Sequence, residues 1–327
     1  MNSISEIDIS GLSGSATERQ NVALELRTVC EGLGFLRIHG HGIDEALIEN
    51  AQNVSREFFR LPAEEKDYIA RKPPRFRGYL GFGTEGLGRI AGVGAPDLKE
   101  AFSMGPVDVP TRLYHSTPEA KEHFEFNRWP DRPANFRPVM EEYYRAMMAL
   151  SSRLMAGFAL ALNLSEDWFE DKIDRQISNI RINYYPAQNV DSASDKIRAG
   201  AHTDFGSLTI LLTEEGSSGL QVRGFDDNWI DIPHQPGRFV VNIGDLMAQW
   251  TNDRFVSTKH RVCNPKSDDG SDRLSIAFFQ QPNYDAMIEC LPTCTQPGQK
   301  PRYEPVTSGA HRRAKLDFAT TEQKHES

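Results

Sequence analysis

After Ile177 the chain breaks into short β-rich runs, NIRINYY, AHTDFGSLTILLT, GLQVRG, WIDIP, RFVVNIGD, STKHRVCN and RLSIAFFQQPN, parted by turn residues. Strands this short cannot bury themselves singly, and at this spacing they close into an antiparallel sandwich or barrel. The first half has another period. Helical patterns cover Ala16 to Gly32, Asp44 to Arg60, Arg137 to Asn163 and Glu166 to Ile173, with one alternating strand at Gly34 to Ile38. Together these predict one α+β unit, a jelly-roll-like core with a helical N-terminal half packed against it.

Within that half, Val22, Leu24, Leu26, Val29 and Leu33 are the expected buried positions of the first helix. The second should stop ahead of Leu61-Pro62, where proline disfavours helix in the preceding residue. Ser165 reads as an N-cap before Trp168 and Phe169. From Lys72 to Gly94 the composition (PPRFRGYLGFGTEGLG) is that of a loop or arm rather than a packed element. Four regions result: 1–110 with helices, short strands and the arm; 111–176, helical; 177–285, the jelly-roll core; and 286–327, a C-terminal extension whose TTEQKHES end should fray.

A net charge of −9 argues against nucleic-acid and anionic-membrane partners. No apolar run has the length of a membrane span, and MNSISEIDIS lacks the basic and apolar parts of a signal peptide, so the cytoplasm is the expected location. Cys30, Cys263, Cys290 and Cys294 are too few and scattered for a disulfide framework and read as ordinary thiols. Nothing points to an obligate protein partner.

The run GAHTDFGSLTILL starts a core strand with an imidazole and a carboxylate two residues apart. Strand alternation predicts His202 and Asp204 on one face, with Thr203 on the other. Two ligands hold a metal loosely, so a third must arrive from elsewhere. His39 and His41 lie in a glycine turn, His115, His123 and His234 in polar or proline-bounded loops, and His311 and His325 in the tail. His260 sits in the strand-like run FVSTKHRV, 56 residues after Asp204, far enough for intervening strands to bring it back. Two imidazoles and one carboxylate on a face of an octahedron leave three positions open, which suits ferrous iron with dioxygen and a chelating co-substrate. Structural zinc favours a closed, four-ligand site. For the His-x-Asp pair alone, a mutual hydrogen bond is the plainer alternative.

Arg273-Leu274-Ser275 also alternates, so guanidinium and hydroxyl face the same way. An arginine turned inward from a strand of Ile276, Ala277, Phe278 and Phe279 requires an anion. A ligand carboxylate gripped by the guanidinium fork, with Ser275 adding a hydrogen bond, meets that need, and so does an internal salt bridge.

With these residues in view, the chain resembles the isopenicillin N synthase-like branch of the iron(II)/2-oxoglutarate-dependent oxygenases over nearly its whole length. The likeness rests on GFLRIHGHGI, FFRLPAEEK, RGYLGFGTE and DLKEAFSMG in the first half. In the second it rests on NYYP, AHTDFGSLTILL, GLQV, FVVNIGDLMAQWTND, STKHRV and RLSIAFFQQPN, in the family's order. The resemblance implies a distorted double-stranded β-helix holding iron(II) with His202, Asp204 and His260. It implies Arg273 and Ser275 at the distal carboxylate of 2-oxoglutarate, with Asn183 and Tyr185 toward the co-substrate's other end. The implied reaction converts 2-oxoglutarate and dioxygen to succinate and carbon dioxide while a C–H bond of a small molecule is hydroxylated or desaturated. Natural-product or small-metabolite chemistry is the implied setting, with ascorbate as a reductant and no protein acid or base.

Substrate should meet residues at the mouth of the same core. Phe279 lies in register with Arg273 and Ser275, a position that also suits a core phenylalanine. Arg77, Tyr79 and Phe82 of the arm, with Phe102 and Met104, are the expected lid. A co-substrate-independent iron oxidase or cyclase of the isopenicillin N synthase type, or an ethylene-forming type enzyme, is the alternative, because relatives of that kind also carry Arg-x-Ser. An inert scaffold fits poorly with an intact His202, Asp204 and His260, and a zinc hydrolase with the lack of HExxH.

Overall fold

The computed structural model describes residues 3–72, 75–84, 99–110, 112–186, 197–215, 219–263, 272–296 and 298–321. In chain order the strands are β1 (Ser5–Asp8), β2 (Phe35–His39), β3 (Gly78–Leu80), β4 (Glu100–Met104), β5 (Asn179–Tyr185), β6 (Ile197–His202) and β7 (Leu208–Leu212). They continue with β8 (Leu220–Arg223), β9 (Trp229–Asp231), β10 (Phe239–Ile243), β11 (His260–Cys263), β12 (Arg273–Gln280), β13 (Met287–Ile288) and β14 (Val306–Thr307). The helices are α1 (Ala16–Glu31), α2 (Glu45–Phe59), α3 (Ala63–Asp67), α4 (Leu113–Ser116), α5 (Phe136–Ala161), α6 (Glu170–Ile173), α7 (Asp245–Trp250) and α8 (Ser308–Thr321).

An eight-stranded sheet in the order β1-β2-β10-β7-β12-β5-β4-β3 faces a four-stranded sheet, β6-β11-β8-β9. The large sheet therefore takes strands from both halves of the chain. Alternation along its strands separates two cores. Ile182, Ile210, Val241, Ile276 and Phe278 project into the larger one, shared with Leu26, Phe58 and Phe158 of the helices. Phe35 and Val240 project the other way, meeting Val222 and Ile232 between the sheets.

Local chemistry sets the helix starts. Ser15 caps α1 in a capping box: its Oγ accepts from Glu18 N at 3.3 Å, while its own N–H donates to Glu18 Oε2 at 2.7 Å. Asp44 caps α2 by accepting from Ala46 N at 2.9 Å. Among the described residues no helix is long and apolar enough to cross a membrane.

Four expectations need correction. Leu24 is 48 % exposed, because it lies off the stripe of Val22, Ala23 and Leu26 that α1 turns toward α5. The arm is partly strand: β3 pairs antiparallel with β4 and its Tyr79 N donates to Ile69 O at 3.1 Å, while residues 73–74 and 85–94 of the expected arm lie outside the described residues. Residues 166–169 are turn rather than helix, and Ser165 offers its carbonyl to Trp168 N at 3.0 Å instead of a side-chain cap to α6. Finally, AHTDFGSLTILLT is two strands, β6 and β7, which belong to different sheets.

Candidate active site

That last correction decides how the expected ligands meet. His202 ends β6 and His260 begins β11, and the two are direct partners in the small sheet. Their ring centroids lie 4.4 Å apart. Asp204 is on no strand; it lies in the turn that carries the chain from one sheet to the other. Backbone contacts fix this turn, with Asp245 N donating to Asp204 O at 2.7 Å and Gly244 N to Ser207 O at 3.0 Å. A Cβ on Gly206 would collide with Gln280 O, and one on Gly244 with Gly206 O, so only glycine permits the approach at these two positions. Asp204 thus joins the histidines by a turn rather than by strand alternation.

The three side chains converge as a donor set. His202 Nε2 and His260 Nε2 lie 3.9 and 3.8 Å from Asp204 Oδ1. One ligand atom from each residue falls within 4.8 Å of the others. Each Nδ1 faces a backbone carbonyl, Gly200 O at 2.7 Å and Thr258 O at 3.3 Å. A carbonyl only accepts, so each Nδ1 carries a hydrogen, and in the neutral ring Nε2 then presents a lone pair. Asp204 Oδ2 accepts from Thr209 Oγ1 at 2.6 Å and Asn242 Nδ2 at 2.7 Å, which leaves Oδ1 turned to the imidazoles.

Electrostatics agree with that reading. Desolvation, then neighbouring His260, push the His202 imidazole down to about 4, keeping it neutral and able to bind metal. Burial opposes ionisation of Asp204, but His260 and His202 in their protonated forms, and the Asn242 and Thr209 hydrogen bonds, outweigh it and lower the carboxyl below its usual range. The two hydrogen bonds act whatever the imidazole charge. Two imidazole nitrogens and one carboxylate oxygen with fixed orientation suit a divalent iron.

Beside this cluster runs a polar ladder. Arg273 pairs with Tyr185, Ser275 with Asn183, Ala277 with Arg181 and Phe279 with Asn179, so these residues share the face turned toward the small sheet. On β4, Ala101 and Ser103 pair with Asn183 and Arg181, which places Lys99 level with Tyr185 on the same face. Lys99 is buried and close enough to His202 to disfavour its protonation. Arg181 Nε donates to Asn183 Oδ1 at 3.2 Å. The start of β12 is held from α2: Glu214 accepts from Leu274 N and Arg56, and Asp272 accepts from Arg60 Nη2 at 2.8 Å.

The expected lid disperses. Tyr79 and Phe102 point to the helices, Tyr79 donating to Glu100 and Phe102 packing edge-on against Phe58 and Phe136. Met104 joins the same helical core. Phe82 is 44 % exposed, and Arg77 is buried against the carbonyl of His123. The face periodicity of β4 explains the loss: Phe102 alternates with Ala101 and Ser103, which share the face of Asn183 and Arg181. Lys99, Ser103, Arg181, Thr209 and Asn242 were missed from the sequence. Arg181 carries a legible signal, because Arg181, Asn183 and Tyr185 alternate in NIRINYY as Arg273 and Ser275 do.

Comparison with known proteins follows the same residues. The profile described as the 2OG-Fe(II) oxygenase superfamily matches residues 176–282, and that described as non-haem dioxygenase in morphine synthesis N-terminal matches residues 4–132. The 2-oxoglutarate-Fe(II) type oxidoreductase hxnY of Emericella nidulans is 36 % identical over 304 residues, spanning 91 % of this chain and 84 % of that one. Homoarginine-6-hydroxylase 2-ODD-C23 of Glycine max is 34 % identical, spanning 89 % of each. Among solved structures, a full-length Neurospora crassa protein in complex with alpha-KG superposes with a TM-score of 0.85 at 30 % identity, covering 97 % of this chain and 96 % of that one.

Proposed function

The chain belongs to the 2-oxoglutarate/iron(II)-dependent oxygenases, and from that premise we propose that His202, Asp204 and His260 hold the iron while Arg273, Ser275, Asn183 and Tyr185 hold 2-oxoglutarate. It is a dioxygenase that uses iron(II), 2-oxoglutarate and dioxygen on a small molecule. The observation that carries the residue assignment is the meeting of two bare Nε2 atoms and Asp204 Oδ1 beside the ladder that ends in Arg273.

When bound, the iron with its co-substrate and dioxygen supplies the oxidising chemistry, and 2-oxoglutarate leaves as succinate and carbon dioxide. This chain's residues do the rest. Gly200 O and Thr258 O lock the two imidazoles with Nε2 inward, and Thr209 and Asn242 lock the carboxylate. A facial set of three leaves room for a chelating co-substrate and one further ligand. Arg273, buried at the start of β12, meets the distal carboxylate in a charge-assisted fork, and Ser275 adds a donor. Phe279, level with Thr209 on the neighbouring strand, lines the approach of the C–H bond to be hydroxylated or desaturated.

We read 177–285 as the catalytic core, with 1–110, 111–176 and 286–327 framing it. Four free cysteines support the reducing cytoplasm as its place of work. Anaerobic addition of iron(II) and 2-oxoglutarate tests the assignment: a visible metal-to-ligand charge-transfer band is expected, and it should be absent in His260→Ala. Turnover of substrate without succinate would overturn the 2-oxoglutarate reading.

A further inference from the structure

Two guanidinium groups are buried together on the first part of the chain and on α8, with no carboxylate at ion-pair distance from either among the described residues. Arg77 is 1 % exposed and Arg312 6 %, and both bear on His123, itself 2 % exposed. Arg77 Nη2 donates to His123 O at 3.2 Å, and Arg312 Nη1 to His123 Nδ1 at 2.9 Å. Arg77 Nε has no hydrogen-bond partner. His123 brings no compensating charge: burial and the two guanidinia push it down to about 3, so it is neutral. Burial, then Arg77, push Arg312 down to about 9. Of the nearby acids, Glu125 attracts both guanidinia from beyond ion-pair distance but is engaged by Phe76 N at 3.0 Å and Arg75 at 3.7 Å, and Glu122, 3.4 Å from His123 Nε2, pairs with Arg313. Two like charges removed from water together require an anion.

Their position says which anion. A Cβ on Gly105 would collide with the Arg77 guanidinium, so that group lies on the backbone of the residue just after β4. Met104 pairs with Ile180, so Gly105 is level with Asn179; Asn179 pairs with Phe279, Phe279 with Thr209, and Thr209 with Asn242. Thr209 and Asn242 are the side chains that hold Asp204. At about 4.8 Å per strand, Gly105 and Thr209 are about 14 Å apart across the sheet, a span that a small molecule bridges. Helix α8 also reaches the turn of Asp204: three residues after Arg312, Lys315 Nζ donates to Asp245 Oδ2 at 2.7 Å, and Asp245 N holds that turn.

We propose that Arg77 and Arg312 form an anion subsite that takes a carboxylate or phosphate group of the substrate, placing a C–H bond of its other end at the iron. This rests on the reading of His202, Asp204 and His260 as iron ligands. It makes the substrate an organic acid or phosphomonoester, anchored at Arg77 and Arg312 and laid across Phe279.

The test begins without any substrate. Crystals of the enzyme loaded anaerobically with iron(II) and 2-oxoglutarate are soaked in sodium bromide, whose anomalous scattering locates the halide. A bromide within hydrogen-bond reach of both guanidinia is expected, retained in Arg77→Lys and lost in Arg77→Gln; no bromide there in the unaltered enzyme overturns the subsite. Succinate release is then measured with small carboxylates, phosphomonoesters and the neutral amide or ester of each. Compounds that stimulate release should be anions, the neutral counterpart should fall at least about tenfold in kcat/KM, and Arg77→Gln should raise KM for the anion by about tenfold without changing KM for 2-oxoglutarate. Which class stimulates separates carboxylate from phosphate. A neutral compound turned over as well as its acid, by both proteins, overturns the proposal while leaving the iron assignment standing. Failure of the charge-transfer band overturns that assignment instead, and the bromide result is read independently of it.

Discussion

The two faces of the large sheet are built from the same strands and have almost nothing else in common. One presents Ile182, Ile210, Ile276 and Phe278 to the helices; the other presents Lys99, Arg181, Asn183, Thr209, Asn242 and Arg273 to the small sheet. Stability therefore belongs mainly to one set of alternate residues and chemistry to the other. Neighbours in sequence should then respond to substitution in opposite ways.

The largest effect should come from His260→Ala. Removing one of the three proposed ligands is expected to abolish iron retention and turnover together, while the metal-free variant unfolds in urea with the midpoint of the metal-free parent. A variant that keeps stoichiometric iron would break the division on its chemical side. Phe278→Ala is the converse. It removes a fully buried ring packed edge-on against Tyr144, and a loss of about 3–5 kcal/mol of unfolding free energy is expected. At a temperature where the variant is still folded, its KM for 2-oxoglutarate should match the parent's. Smaller again is Arg273→Ala, five positions earlier on β12. Loss of a charge-assisted fork should raise the 2-oxoglutarate requirement about 10- to 100-fold and leave iron binding unchanged. Equal loss of iron would show that the guanidinium serves the metal end instead.

The same division explains what could be seen in the sequence. β5 and β12 were legible from NIRINYY and RLSIAFFQ because each strand alternates cleanly, and so were Asn183, Tyr185, Arg273 and Ser275. His260 was found by elimination and its role by resemblance, whereas its pairing with His202 depends on a register that no local signal announces. Asp204 was placed correctly beside His202 for an incorrect reason, since a turn and two close glycine approaches, not alternation, set it there. The loop composition of the arm makes Tyr79, with Phe102, an expected lid residue, but face parity on β3 and β4 turns both to the helices. His123 reads as a loop residue in the sequence, and Arg312 carries no signal there. Their burial arises only when α8 folds back on the segment around residue 123, a contact between positions 189 apart in sequence.

Asp272→Asn tests where the two faces cannot be separated. Asp272 immediately precedes Arg273, and its carboxylate accepts from Tyr184 Oη at 2.8 Å, Arg60 Nη2 at 2.8 Å and Arg56 Nε at 3.3 Å. Tyr184 lies on the helical face, stacked on Phe59 of α2, so this one group ties the helices to the residue before Arg273. Burial opposes its ionisation, but the Tyr184, Arg60 and Arg56 hydrogen bonds outweigh that and hold it below the usual carboxylate range. A carboxyl depressed in the folded state stabilises at pH above its unfolded value, about 4, and that contribution disappears as pH falls through the lower folded value. The asparagine variant should thus be about 1–2 kcal/mol less stable at pH 7, with the two proteins converging as the pH is lowered below about 4, read from urea midpoints. If Asp272 also sets the approach of Arg273, KM for 2-oxoglutarate rises about threefold at unchanged iron affinity, an effect small beside Arg273→Ala. That rise is the expected result, because the carboxylate fixes the backbone from which the guanidinium reaches. An unchanged KM would mean that pairing with Tyr185 positions Arg273 without help, and the faces would be separable even at the strand end.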